Sequence, residues 1–190
     1  MEATNKINAY ILCGGKSSRM KTEKGLVRYK GKTFVEHIIA ALSPFASETR
    51  LVTANKDYEH LGYECIKDIY PEKGPLGGIF TALSHTTSAS NFIMSCDIPC
   101  INQELIKTLI QEHYENAFEI SYLADNSHDF PLVGIYEKRL SEKLKTSLLQ
   151  NQLRVRSFVQ DQKAQKITVD SEEAHALKNI NTPEELARLT

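Results

Sequence analysis

Three features of the sequence have the residue types and spacing to handle a polyphosphate. The first is Leu12-Cys13-Gly14-Gly15-Lys16-Ser17-Ser18-Arg19-Met20-Lys21-Thr22-Glu23-Lys24, where an apolar run ends in paired glycines and four cations stand against one acid. Glycine lacks the Cβ that holds a backbone away from a ligand, so Gly14 and Gly15 permit a sharp turn and a close approach to an anion. Lys24 and Arg19 are the candidate phosphate contacts. A cation beside a leaving pyrophosphate stabilises charge that grows in the transition state, by about 3–4 kcal/mol for one well-placed group. The second feature is Asp97, which ends the apolar run 91–96 and precedes Pro99. Mg²⁺ takes oxygen ligands from one or two carboxylates and from substrate phosphates, which suits Asp97. Its plainer alternative is a cap or turn former for the helix that follows. The third is Asp68, which ends a shorter run before Pro71 and reads either as a nucleotide or metal contact or as a turn residue.

Two better-known phosphate grips are excluded. The P-loop spacing G-x-x-x-x-G-K-[ST] places its first glycine at position 10, where Tyr10 stands. The dinucleotide fingerprint G-x-G-x-x-G fails as well, since no glycine follows Gly15 until Gly25. The net charge of −1 makes the basic loop a local feature, so nucleic acid is not an expected partner. No apolar run approaches the roughly 18 residues of a membrane span, and residues 1–8 lack the parts of a signal peptide, so the expectation is a cytoplasmic protein with no membrane partner. Cys13, Cys65, Cys96 and Cys100 show no C-x-x-C spacing and no paired histidines, which points to buried free thiols rather than zinc.

The elements that must position these residues alternate between short apolar runs and helical stripes. That is the pattern of an α/β fold with a mostly parallel sheet and helices on both faces. Strands are expected over 7–13, 50–54, 64–67, 91–96, 119–123 and 132–136, the last two flanking a polar loop at 124–129. Helices are expected over 33–44, 79–85 after a Gly74–Gly78 turn, 102–113 and 138–150. Thr182-Pro183-Glu184-Glu185 fits a capping box opening a final short helix. In open α/β sheets ligands bind at the carboxyl ends of strands, so the Gly14 loop, Asp68 and Asp97 are expected to share one crevice. With 190 residues, no repeat and no linker, a single domain over 1–190 is expected, its first half binding nucleotide and its second half the acceptor.

The opening motif with Lys24, together with Gly74-Pro75-Leu76-Gly77-Gly78, Cys96-Asp97-Ile98-Pro99 and Asn179-Ile180-Asn181-Thr182-Pro183-Glu184-Glu185-Leu186, resembles the molybdenum cofactor guanylyltransferases over nearly the whole chain. The glycine-rich opening alone marks only the wider nucleotidyltransferase group. The resemblance implies a Rossmann-like three-layer sandwich of the nucleotide-diphospho-sugar transferase type. It implies that a terminal phosphate of molybdenum-loaded molybdopterin attacks the α-phosphate of GTP and releases pyrophosphate without a covalent enzyme intermediate. Mg²⁺ is the implied cofactor and the residue matching Asp97 its ligand, with Lys24, Arg19 and Asp97 as the catalytic set.

Nucleotide binding is implied for Leu12, Cys13, Gly14, Gly15, Lys24, Asn55, Asp68 and Asp97. Acceptor binding is implied for Pro131, Leu132, Asn179 and Asn181, the two asparagines having an alternative as turn residues. GTP and the molybdopterin cofactor are the implied partners, along with molybdenum-inserting proteins and recipient molybdoenzymes. Gly14-Gly15 implies GTP over CTP, because related cytidylyltransferases carry Ala-Gly there. Cys13, Lys21, Glu23 and Thr53 depart from the family's usual alanine, glycine, aspartate and, in some members, asparagine. Cytidylyl or sugar-phosphate nucleotidyl transfer on the same fold is the alternative. A non-catalytic nucleotide-binding protein is the other, against which the retained Lys24, Asp68 and Asp97 speak.

Overall fold

The computed structural model describes residues 7–14 and 23–189. Strand β1 (Ile7–Leu12) is buried along its whole length, as a strand covered on both faces must be. Its side chains alternate between two cores. Ile7, Ala9, Ile11 and Cys13 enter one, Tyr10 and Leu12 the other. A two-residue hairpin, β2 (Arg28–Tyr29) and β3 (Lys32–Thr33), turns through Lys30 and Gly31, both at positive φ. Helix α1 (Phe34–Leu42) starts at Thr33, whose hydroxyl accepts from the Glu36 amide while the Glu36 carboxylate accepts from Thr33 N–H. Strand β4 (Ala46–Val52), β5 (Glu64–Ile66), helix α2 (Gly74–His85) and β6 (Ser90–Ser95) follow. The second half comprises α3 (Gln103–Asn116), β7 (Ile120–Ala124), β8 (Asp129–Glu137), α4 (Ser141–Leu149), α5 (Val155–Gln160), β9 (Ala164–Thr168) and α6 (Pro183–Ala187).

Seven strands form one sheet in the order β5-β4-β1-β6-β8-β7-β9. Every neighbouring pair is parallel except those that β8 makes with β6 and β7. Helices α1 and α3 cover one face, and α2, α4 and α5 the other, giving the expected three layers. Because β8 runs backwards, its first residues, Asp129 to Leu132, lie at the same sheet edge as the ends of β1, β4 and β6. Pro131, which has no N–H to donate, sits beside a register shift in the β7–β8 ladder, where a strand tolerates proline.

Several expected boundaries change. Residues Gly74 to Gly78 do not form a turn before a helix; they are the first turns of α2. Gly77 and Gly78 answer close packing there, a Cβ on Gly78 lying 3.1 Å from Leu12 Cδ2. Strand β4 starts and ends before the expected 50–54, and β8 extends to both sides of 132–136. The hairpin, α5 and β9 carry no strong apolar period and were not expected; β9 buries only Ile167. Helix α6 begins as expected, with the Thr182–Glu185 capping box and Pro183 in its first turn. The four cysteines are free, but only Cys13 and Cys96 are buried. No helix among the described residues is long and apolar enough to cross a membrane.

Candidate active site

The carboxyl edge of the sheet holds two cavities that meet at Asp97. The first, about 730 Å³, is lined by Leu12 and Gly14 after β1, Val52 at the end of β4, Asp68 after β5, and Glu72, Gly74, Pro75 and Gly78 at the start of α2. The second, about 410 Å³, is lined by Phe130 and Pro131 of β8, by Arg154 and Arg156 around the start of α5, and by Asn179. Pro75, Ser95, Asp97 and Leu132 line both. The expected crevice therefore exists and has two lobes.

Asp97 stands where β6 ends, and its carboxylate is not used as a helix cap. Asn102 caps α3 instead, its Oδ1 accepting from Leu105 N–H at 2.9 Å. Asp97 Oδ1 accepts from Ser95 Oγ at 2.6 Å, and Oδ2 lies 3.6 Å from Lys24 Nζ. Lys24 Nζ also donates to Asn181 Oδ1. The Asn179–Asn181 segment is tied to the same point, since Ile180 N–H donates to the Asp97 carbonyl at 2.8 Å. Glu185 of α6 holds Asn181 in turn, accepting from its backbone N–H at 2.6 Å. The capped terminal helix thus positions an asparagine against the site lysine.

Lys24 opens a short 3₁₀ turn ending at Leu26, and the next residue has to be glycine. A Cβ at Gly25 would lie 2.6 Å from Tyr58 Oη and 2.7 Å from Val35 Cγ2. Gly25→Ala is expected to cost about 1–3 kcal/mol through overpacking and to displace Lys24. Thermal unfolding and nucleotide affinity measured together check this; a melting temperature within a degree of wild type contradicts it.

Asp68 is half-buried, with Oδ1 3.5 Å from the Thr81 hydroxyl, and burial raises its carboxyl pKa above the ordinary aspartate value. Folding therefore favours the protonated form. The charged form destabilises the fold once pH rises above the unfolded value of about 3.9, and below that value the penalty disappears. Asp68→Asn is expected to raise the melting temperature at pH 7, to lose that advantage near pH 3, and to bind nucleotide more weakly. A lower melting temperature at pH 7 contradicts this assignment.

Leu12, Gly14, Asp68, Asp97, Pro131, Leu132 and Asn179 each line one or both lobes, whereas Lys24 and Asn181 line neither and meet beside Asp97. Cys13 points its thiol into the core, with its N–H donating to Val52 O at 3.1 Å. Asn55 lines neither lobe; its Oδ1 accepts from Asp57 N–H and starts the 3₁₀ segment Lys56–Leu61. Gly15 and Arg19 lie outside the described residues.

Residues 9–167 match the MobA-like NTP transferase domain. The chain belongs to this family. It is 44% identical over 95% of its length to the probable molybdenum cofactor guanylyltransferase of Flavobacterium johnsoniae, covering 94% of that protein. It is similar in structure to the molybdopterin-guanine dinucleotide biosynthesis protein A of Archaeoglobus fulgidus, with a TM-score of 0.80, 25% identity and 96% of each chain covered. The fold is shared with CMP:2-keto-3-deoxy-manno-octonic acid synthetase, with a TM-score of 0.74, 14% identity and 97% of each chain covered. The sequence alone does not single out Arg154 and Arg156, two exposed cations in a polar stretch without motif that line the second lobe. Their placement on β8's side of the second lobe is the signal that finds them. Nor does it single out Glu72, which lines the first lobe.

Proposed function

We propose that the chain transfers GMP from GTP to the molybdenum-loaded molybdopterin cofactor. An oxygen of the acceptor's terminal phosphate attacks the α-phosphorus of GTP, the bond to the β-phosphate breaks, and pyrophosphate leaves. The observation that carries this reading is the pair of lobes sharing Asp97. A two-substrate transfer needs donor and acceptor phosphates brought to one point, and that alignment supplies much of the rate. The first half of the chain supplies most of the nucleotide lobe and the second half most of the acceptor lobe.

The donor set suits Mg²⁺. Asp97 and Asp68 offer carboxylate oxygens, and among the described residues no cluster of three or more His, Cys, Asp or Glu side chains stands ready to hold a metal by itself. That fits a cation which takes its other ligands from substrate phosphates and water. Bound by Asp97, Mg²⁺ would supply charge neutralisation and polarisation of the phosphoryl oxygens. The chain's own groups do the rest. The Ser95 hydroxyl fixes the Asp97 carboxylate, and Lys24 brings positive charge to the phosphates at the junction. Leu12 and Gly14 bring backbone close to the nucleotide. The uncapped N-terminus of α2 lines the lobe and adds a potential favourable to anions. Arg154 and Arg156 present guanidinium groups, whose fork matches a phosphate, to the acceptor. Asn179, Pro131 and Leu132 shape that lobe.

The experiment is pyrophosphate release by the purified protein with Mg²⁺ and molybdenum-loaded molybdopterin, comparing GTP, CTP, ATP and UTP. Acceptor-dependent release with GTP is expected; release with CTP instead overturns the base assignment, and none with any of the four overturns the reaction.

A further inference from the structure

The first lobe contains an acid that the reaction described above leaves without a task. Glu72 has a backbone φ of 63°, in the left-handed region that residues with a side chain seldom adopt. Gly74, two residues on, has a φ of 62°, so the segment leading into α2 is bent twice. The bend is held from outside the segment: the Tyr70 ring packs on Phe80 with centroids 5.4 Å apart, and Lys73 Nζ donates to Asn151 Oδ1 at 3.0 Å. Strained backbone of this kind persists where surrounding structure enforces it, and it often marks a functional position. Here the bend leaves an exposed glutamate on the wall of the nucleotide lobe.

The other carboxylates of that lobe are engaged. Asp97 is bonded to Ser95 and paired with Lys24, and Asp68 lies beside Gly14 and within reach of the Thr81 hydroxyl. The Glu72 side chain has no hydrogen bond or ion pair among the described residues. It lines the first lobe and not the second. A carboxylate repels the triphosphate, so its match in a nucleotide is a part rich in donors. Guanine presents two adjacent donors, N1–H and the N2 amino group, to one carboxylate. Adenine, cytosine and uracil do not. Leu12 and Val52 give the same lobe apolar surface against which a flat base can lie.

We infer that Glu72 reads the guanine base, accepting from N1–H and N2–H with its two carboxylate oxygens. This deepens the guanylyltransferase reading and rests on it. The competing task for a carboxylate in this place is the ribose diol, and the test separates the two.

Binding of GTP, ITP, XTP, 2′-deoxy-GTP and CTP to the full chain with Mg²⁺ is measured calorimetrically for the wild type and Glu72→Gln. ITP lacks the N2 amino group, and XTP replaces it with an oxygen that an amide N–H matches. The wild type is expected to prefer GTP to ITP by roughly tenfold or more, as a lost half of a bidentate base contact implies. Glu72→Gln is expected to lose roughly 10- to 100-fold in GTP affinity, to abolish the GTP preference over ITP, and to gain XTP binding. If Glu72→Gln keeps the GTP preference over ITP, the inference is overturned while the transfer reaction stands. If GTP and ITP weaken equally and discrimination against 2′-deoxy-GTP disappears, the residue reads ribose and the inference is likewise overturned. A wild type that binds CTP better than GTP overturns both this assignment and the reaction on which it rests.

Discussion

Asp97→Asn is expected to fold as the wild type does and to lose acceptor-dependent turnover by on the order of 10³-fold, the scale seen when one group stabilising transition-state charge is removed. The substitution keeps the size of the side chain, and an amide oxygen still accepts from Ser95 Oγ, now 2.6 Å from Oδ1. The ion pair with Lys24 is lost, but its members are 22% and 17% exposed and 3.6 Å apart, so the effect on the melting temperature is expected to be a few degrees at most. What disappears is the negative charge at the point shared by both lobes, and with it the affinity for a hard divalent cation. Tenfold higher Mg²⁺ should recover no more than about tenfold of the lost turnover. Activity within tenfold of wild type removes Asp97 from the centre of the reaction.

Lys24→Ala is expected to weaken GTP binding by roughly 10- to 100-fold and to slow transfer by a further 10²-fold or so, because its charge acts on the ground-state phosphates and on the pyrophosphate as it departs. The contact with Asn181 adds a second, separable expectation. If the asparagine serves to position the lysine, Asn181→Ala lowers activity in the wild type but adds little in a Lys24→Ala background. Additive losses show that Asn181 acts on substrate directly. An unchanged GTP affinity and rate in Lys24→Ala contradict the phosphate role itself.

The parts of this site that were legible beforehand are those where one residue type answers one local requirement. The apolar strand running toward Gly14, the strand end at Asp97 and the Thr182–Glu185 capping box each announce a backbone geometry, and each is found where expected. Glycine and proline in the Gly74–Gly78 segment signal a turn locally, but here Gly74 takes a left-handed φ as α2 begins, Pro75 occupies its first turn and Gly78 answers tertiary packing against Leu12. The reversed β8 was not legible either, since strand direction leaves no trace in a short apolar run. Yet that reversal is what brings Pro131 and Leu132 to the crevice. Arg154 and Arg156 look like any solvated cations in the sequence, and only the docking of α5 near β8 gives them a lobe to line. Asn55 shows the opposite case: a polar residue at a suggestive offset whose side-chain oxygen is engaged with the backbone of its own 3₁₀ segment.

In the proposed reaction GTP and a phosphorylated pterin meet across Asp97, and the α-phosphate is the group transferred. The direct measurement follows label from [α-³²P]GTP and, in parallel, from [γ-³²P]GTP into molybdenum-loaded molybdopterin. The α label is expected to enter the cofactor and the γ label to leave in pyrophosphate, with both events lost together in Asp97→Asn. Entry of the γ label, or α-label transfer that survives Asp97→Asn at the wild-type rate, contradicts the proposed reaction.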